Sequence, residues 1–498
     1  MPRSEHDAIV IGASLDGLVA ATALARARAK VIVLERSALV GGAAAPIPIP
    51  GCPGVVASAA MPTVGVFRRR IFESLRLGRR GVELAVPDPL AWTPLADGRA
   101  LAIRSDPGRA AADLRAFSPR DGAVWARFAL WRQSLTRRIE PLLGAAPVRL
   151  ERLVRRLAGD AGALRDALFG SVGEIALRHF ETPALAASLA QFATSGTTLG
   201  PWDPGSFFHL LLRAGADLFG ATGAWGHVLG GTGRLATALA DACREAGAEI
   251  QLGADVRAID LHRGRVQGVV LEGGAVVRAR TVLSSLPERA TMLGLVPDGA
   301  LPVRTRAAIE ARRTDGTTVR IALALSALPT LAVARPAPGA TALAGVLRSP
   351  RTLGELDLAH ADLCAGRAST RPSVEMTIPS AIDPTLAPPG VYVALVTAQH
   401  APPGSDVEAF ADRALGVLEE VAPDLGRLIR GRAILPPVHP SQGDAVPGAM
   451  FEDRPAQTAV RGLFLCGAAA HPGLPGSGLS GRIAARLALA SLRAGRRS

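Results

Sequence analysis

Between Asp7 and Gly42 the amino-acid pattern passes through strand, glycine turn, helix and second strand, which commits this end of the chain to a βαβ unit. Ala8–Ile11 reads as a short buried strand, Leu18–Arg28 as a helix of small residues, and Val31–Leu34 as a second buried strand. The turn is Gly12-Ala13-Ser14-Leu15-Asp16-Gly17, and Glu35 stands at the end of the second strand. This is the setting of a dinucleotide-binding turn. Gly12 makes the tight bend and Gly17 lets the helix pack close to the strand. The helix N-terminus points free amides at a pyrophosphate, and Glu35 can accept from ribose hydroxyls. An acid at that position disfavours a 2′-phosphate, which argues against NADP. One position departs from the fingerprint: its middle glycine is Ser14. The Cβ of Ser14 is expected to push a pyrophosphate outward, and its hydroxyl to compensate by hydrogen bonding. Asp16 adds a negative charge that a helix N-terminus tolerates.

Beyond this unit the pattern changes character. From Arg68 to Gly220 it is mostly helical, with Arg109–Phe117, Val124–Leu143, Val148–Leu157, Ala161–Leu168, Ala184–Thr194 and Ser206–Leu218 as the candidate helices. Residues 231–280 return to α/β: a helix Leu235–Ala246, strands Glu249–Leu252, Val256–Leu261 and Gln267–Leu271, and a Gly273-Gly274 hairpin signal. Val282–Ser285 is a further strand. Residues 303–396 read as strand-rich, Asp406–Val421 as a helix, and Gly462–Arg493 as strand, glycine-rich turn and helix. The expected division is a nucleotide-binding domain in three pieces, 1–67, 223–300 and 454–498. A helical cap at 68–222 and a mixed-sheet substrate domain at 301–453 fall between them.

Composition narrows the function. The 498 residues are 48% hydrophobic and 20% charged, a globular balance. The formal net charge is +13, but Lys30 is the only lysine, and so much arginine beside so much alanine points to a GC-rich genome. The arginines are scattered, no aromatic-interleaved stripe accompanies them, and aromatics are 4%. They are read as solvated surface, with no nucleic acid partner. An anionic lipid surface is the functional alternative, because an apolar substrate would come from a membrane. The expected location is the cytoplasm, peripheral to the inner membrane face if membrane contact occurs. Cys52, Cys243, Cys364 and Cys466 are far apart and form no C-x-x-C pair, so a redox dithiol and a disulfide framework are excluded. No histidine spacing suits a metal. No apolar run is long enough to span a membrane, and the N-terminal pattern argues against a secretory signal.

At Glu35-Arg36…Gly41-Gly42-Ala43-Ala44 the chain resembles the phytoene-desaturase-like flavoproteins, a family that includes carotenoid desaturases and isomerase, retinol saturase and the pyridine-nucleotide-disulfide oxidoreductase domain 2 proteins. The resemblance continues at Phe117–Asp121, Phe180–Pro183, Pro204-Gly205, Gly223–Ala236 and Ala246–Val256. It is most specific at Leu463–Gly473, with Gly478, Gly481 and Arg482 in register. It implies an α/β fold: an FAD-binding, Rossmann-like domain of glutathione-reductase type, a mixed-sheet substrate domain and a helical cap insert. It also implies FAD as the cofactor. Its contacts would be Gly12, Ser14, Gly17, Glu35, Arg36, Gly41, Gly42, Ala43, the backbone of Val256, Gly467, His471, Pro472, Gly473, Gly478 and Gly481. The closing turn and helix would pass under the pyrophosphate, ribityl chain and flavin ring, the helix dipole favouring negative charge on the reduced ring. Ala469-Ala470 replace the family's Gly-Thr, a second departure at a cofactor contact.

Hydride transfer to or from a flavin needs a C–H held over N5 and little else from the protein. No catalytic residue is assigned. The apolar helices Ala184–Thr194 and Ser206–Leu218 are candidates to line the substrate pocket. The amine-oxidase design, a lysine near N5 with two flanking aromatics, is disfavoured because Lys30 lies in the first βαβ unit and Tyr392 is the one tyrosine. Gly476-Ser477-Gly478 does not have nucleophile-elbow spacing. Three readings stand: an FAD-dependent desaturase, saturase or isomerase acting on a long apolar, polyene or isoprenoid-like substrate; an FAD oxidoreductase for a smaller polar substrate; and a flavin-fold binding protein that has lost its cofactor.

Overall fold

The computed structural model describes residues 6–144, 150–220, 223–311, 316–335, 340–437, 456–467, 470 and 476–494. The first strand extends over His6–Ile11, and its helix, Leu15–Arg26, begins three residues earlier than the apolar pattern alone suggests. Ser14 explains the early start. It is the N-cap, its hydroxyl accepting the Gly17 amide at 3.2 Å.

Two sheets organise the chain. In the first, Glu249–Leu252, Val31–Glu35, His6–Ile11, Val276–Ser284 and Leu463–Leu465 lie side by side and parallel. The near half of Val276–Ser284 also forms an antiparallel meander with Arg265–Leu271 and Val256–His262. The turn into Val276 uses Gly273 and Gly274 at φ +85° and +86°. The parallel strands are apolar on both faces, as burial between helices requires. On one side they pack against Leu15–Arg26, Thr232–Glu245 and the last helix, Leu479–Ala494. A Cβ at Gly481 would collide with the Asp16 carbonyl oxygen, so the first and last helices cross at a glycine.

The second sheet runs Ile429–Leu435, Thr318–Leu325, Tyr392–Gln399, Ser373–Thr377, Val346–Arg348, Ala91–Pro94 and Ala100–Ile103. All neighbours are antiparallel except Val346–Arg348 with Ala91–Pro94. Two expectations are corrected here. The segment read as helical contains Ala91–Pro94 and Ala100–Ile103, a hairpin turned at Asp97-Gly98 with Gly98 at φ +81°. The segment read as strand-rich contains helices Val303–Ala311 and Leu353–Cys364. The second of these is announced by a capping box. Thr352 Oγ1 accepts the Glu355 amide, and Glu355 reaches back to the Arg351 amide.

The cap helices include Pro107–Arg115, Pro119–Leu143, Pro183–Thr194 and Ser206–Ala214. The last of these stops at Gly215, short of the expected Leu218. These helices bury Trp125, Phe128, Phe180, Phe207 and Phe208 in one core above the second sheet. Among the described residues no helix is long and apolar enough to cross a membrane.

Candidate functional site

The N-terminal turn has the shape its glycines require. Gly12 sits at φ +87°, where a side chain would meet Ser285 Oγ, and a Cβ at Gly17 would collide with the Gly12 carbonyl oxygen. Ser14 has φ −65° and ψ 167°, a backbone any residue adopts, so no strain attends the lost glycine. Its Cβ lies 3.3 Å from where a Cβ of Gly42 would be, so the bare Gly42 leaves room for it. Gly41, at φ +120°, donates its amide to the Ala13 carbonyl at 2.8 Å, which fastens the second glycine loop to the first.

Glu35 is buried and held from two sides. One carboxylate oxygen accepts the Ala13 amide at 2.7 Å and the other the Ser37 amide at 2.9 Å. The Ala254 amide donates to the Glu35 carbonyl and the Gly253 amide to that of Ser37, so the chain leading into Val256 is laid across the end of this strand. Gly12, Ser14, Gly17, Glu35, Gly41, Gly42 and Val256 are thereby gathered at the carboxyl edge of the first sheet. Arg36 and Ala43 are exposed at the same edge.

The closing segment reaches that edge from the other end of the chain. Gly467 passes so close to Ser285 that a Cβ would collide with its carbonyl oxygen, and Gly478, at φ +75°, faces Ile71 and Phe67. Ala470 donates its amide to Gly467. His471, Pro472, Gly473 and Ala469 lie outside the described residues. Ser477 is buried and its hydroxyl accepts the Leu479 amide, a structural bond rather than a nucleophile's setting. A Cβ on Gly476 would lie 2.6 Å from Met61 Cε, which places the segment Ser58–Thr63 beneath the closing turn.

Asp16 is more than a tolerated acid. Its side chain is buried, one carboxylate oxygen accepts the Gly476 amide at 2.9 Å, and the other has no partner among the described residues. Burial pushes its pKa up to about 7, against the opposing pull of the Gly476, Gly478 and Gly481 amides.

From Thr63 a cavity extends between the cap and the second sheet. Leu90, Ile103, Trp125, Leu189, Phe192 and Trp225 supply much of its wall, and the cap helix Pro119–Leu143 brings Leu130, 66% exposed, to its lining. The two helices expected to line a pocket do so through Leu189 and Phe192 of one, and Arg213 and Ala214 of the other.

The wall also carries arginines, which corrects the reading of these residues as solvated surface. Arg213 lies over the rings of Phe192 and Trp225, 4.8 and 4.5 Å from their centroids. Its pKa is lowered to about 10, chiefly by burial. Burial alone lowers Arg132 to about 10, and its Nε has no partner among the described residues. Both are part-buried and line the cavity. Arg348 is bonded to Glu375 Oε1 at 3.2 Å and to the Ser188 hydroxyl at 3.0 Å. Arg68 is also buried and donates to the Gly215 carbonyl at 3.0 Å. The overlooked signal is a lone charge inside an apolar run: Arg348 after Val346-Leu347, Arg213 after Leu210-Leu211-Leu212.

Among the described residues no three His, Cys, Asp or Glu side chains are placed to hold a metal. A parallel sheet with a glycine-turn βαβ unit, a ribose-type acid and a returning C-terminal glycine turn defines a Rossmann-type flavoprotein with a separate substrate sheet. Residues 10–72 match the NAD(P)-binding Rossmann-like domain, and residues 76–489 match the flavin containing amine oxidoreductase family. The chain belongs to that family and is an FAD-dependent oxidoreductase. It is similar to the rat pyridine nucleotide-disulfide oxidoreductase domain-containing protein 2, 32% identical over 99% of this chain and 94% of the relative. It is also similar to a phytoene dehydrogenase of Streptomyces griseus, 28% identical over 96% and 94%. An oxidoreductase from Methanosarcina mazei shares the fold, with a TM-score of 0.64 and 17% identity across 97% of this chain and all of that one.

Proposed function

We propose that this protein moves a hydride between a substrate with a long apolar body and FAD, as a desaturase, saturase or isomerase does, and that it is not an amine oxidase. The observation that carries the reading is the cavity. It begins at Thr63, two residues from the Met61 that touches the closing glycine turn, and Leu130, itself largely exposed, joins its lining. A substrate body stripped of water by Trp125, Leu189 and Phe192 gains about 25 cal/mol per Å² of apolar surface buried. That body can lie along the wall while one end points toward the turn.

The residues at the sheet edge fit FAD. Glu35 is held by two amides, one on each oxygen, and retains lone pairs for ribose hydroxyls. The first turn of Leu15–Arg26 would face the pyrophosphate, with Ser14 against Gly42. The backbone at Val256 would hold the adenine, and Gly41–Ala44, Gly467, Gly478 and Gly481 would lie along the rest. Ser58, buried beside Gly231 with no hydrogen-bond partner among the described residues, has a hydroxyl free for the cofactor. When bound, the flavin supplies a two-electron hydride acceptor or donor. The protein contributes position and exclusion of water.

Two features speak against an amine substrate. Lys30 is exposed on the far side of the first helix, where its amide donates to Asp7. The cavity wall is rich in guanidinium groups, which repel an ammonium. Purified protein is expected to show bound-flavin absorbance that bleaches anaerobically with a neutral long-chain unsaturated substrate and not with alkylamines or diamines. Bleaching by amines alone, or protein that neither contains nor takes up flavin, overturns the proposal.

A further inference from the structure

The face of the second sheet beneath the cap carries a row of charge. Val319, Ile321, Leu347, Val374 and Met376 all enter the core on the far face. The alternate residues Arg320, Arg348 and Glu375 therefore point toward the cap. Arg348 and Glu375 are directly paired across neighbouring strands, and Arg320 reaches Thr397 at 3.3 Å. The cap adds Arg213 and Arg132 from above.

Among the described residues, the one carboxylate lining the cavity beside Arg132, Arg213 and Arg348 is Glu375. Its two oxygens are already committed, one to Arg348 and one to the Ser195 hydroxyl at 2.6 Å. Arg104, also on the wall, is matched by Asp88 and Asp113 and adds no excess. Arg213 bonds the Ser195 carbonyl at 3.2 Å, but its Nε is unpaired among the described residues. Arg132 has no ion pair among them. Both side chains line the same cavity. Removing guanidiniums from water without a counter-charge is expensive, and an arrangement of this kind is offset by an anion that enters with the ligand.

We infer that this cavity selects an amphiphile with an anionic head, and that Arg132 and Arg213 receive that head while Phe192, Leu189 and Trp125 hold the apolar body. The inference rests on the proposed function, since it concerns the same cavity. Guanidinium forks match carboxylate and phosphate oxygens equally well, so either head satisfies the geometry. Arg213 lies over two rings at 4.8 and 4.5 Å and Arg132 over one, Phe128, at 6.0 Å, which makes Arg132 the residue to change first.

The test uses the flavin-loaded protein and four probes with one tail: linoleate, linoleyl phosphate, methyl linoleate and linoleylamine. Perturbation of the flavin absorbance and thermal shift both report binding. The anionic probes are expected to bind at least tenfold tighter than the ester, and the amine weakest. Arg132→Gln should reduce the anionic preference to about twofold while leaving ester binding unchanged, and Arg132→Lys should restore part of it. Arg213→Lys, which keeps the charge but loses the stacking, guards against a folding defect in Arg213→Gln. A preference for phosphate over carboxylate, or the reverse, identifies the head. Ester and carboxylate binding alike, or an anionic preference that survives Arg132→Gln, overturns the inference and leaves the proposed function standing. Failure of every probe, charged or neutral, overturns both.

Discussion

Glu35 and Arg132 are both charged groups set among apolar neighbours, but their surroundings treat them differently. The Glu35 carboxylate is clasped by the Ala13 and Ser37 amides, so the first sheet is complete in itself. Arg132 faces a cavity with its Nε unpaired among the described residues. The first arrangement stabilises the fold and presents a finished edge to a cofactor. The second leaves charge uncompensated where a changing ligand comes and goes. Glu35 is satisfied within the fold, whereas Arg132 is left for a substrate to satisfy.

The sharpest way to break this contrast is to disturb the glycine contacts on which the cofactor edge depends. Gly17→Val and Gly481→Leu each force a side chain into backbone, at Gly12 and Asp16. Overpacking of this kind costs about 1–3 kcal/mol and often more where backbone must move. Both variants are expected to emerge without flavin and largely insoluble, as read by absorbance at equal expression. Gly98→Ala, at a φ of +81° in a surface hairpin with nothing near its Cβ, is the control and should keep its flavin.

Glu35→Ala comes next in size. It strands the buried Ala13 amide, worth about 1–3 kcal/mol of stability. It also removes the ribose acceptor, which should weaken FAD by about ten- to a hundredfold in a titration of the apoprotein. Glu35→Gln should keep the tertiary bond to Ser37 or Ala13 and lose less. Unchanged flavin affinity in both variants would move the adenosine site away from this edge.

The two regions also differed in how much the amino-acid order disclosed. The cofactor edge is built from local patterns: Gly12 to Gly17, Glu35 one strand later, Gly41-Gly42 after it. Each of these obeys a short-range steric or capping rule, so the fold type and the gathering of these residues were legible. Ser14 was legible as a departure but not as a helix cap, because its role depends on the empty space at Gly42. The cavity is made from Arg132, Arg213, Arg348 and Glu375, which are up to 243 residues apart. Only strand register brings Arg348 against Glu375, and only cap docking turns Arg213 inward. Overall arginine content hid them. The missed hairpin at Asp97-Gly98 and the capping box at Thr352–Glu355 are different: both were local signals overshadowed by the character of the longer segments around them.

Asp16 joins the two regimes, since it is a buried carboxylate on the cofactor side that is only half satisfied. Its pKa is pushed up to about 7 from the ordinary 3.8. The folded state therefore holds a proton that the unfolded chain has released between about pH 4 and pH 7. Stability falls as pH rises through that window, and the penalty is complete above pH 7. Asp16→Asn keeps an acceptor for the Gly476 amide and removes the charge. It is expected to flatten the pH dependence of unfolding and to gain on the order of 2 kcal/mol at pH 8. A pH dependence identical to that of the unmodified chain would mean that water or a shifted loop already solvates this carboxylate.

The smallest effect is the most discriminating, because its sign differs between the regions. On the cofactor edge, deleting a charge should destabilise. In the cavity, Arg132→Met replaces a desolvated, unpaired guanidinium with an apolar side chain of similar reach among Trp125, Phe128 and Leu130. Burial lowers its pKa to about 10 and no carboxylate among the described residues pairs with it, so Arg132 is expected to cost the ligand-free fold stability despite its contact with the Phe128 ring at 6.0 Å. Its removal is expected to add about 1 kcal/mol, a rise in Tm of about 1 °C in a chain this long, while weakening capture of anionic probes. Stability and binding would then move in opposite directions on one substitution, the mark of a residue kept for its ligand. If Arg132→Met instead lowered Tm by several degrees, this arginine would be holding the cap to the sheet, and the asymmetry between the two halves would reduce to a difference in packing.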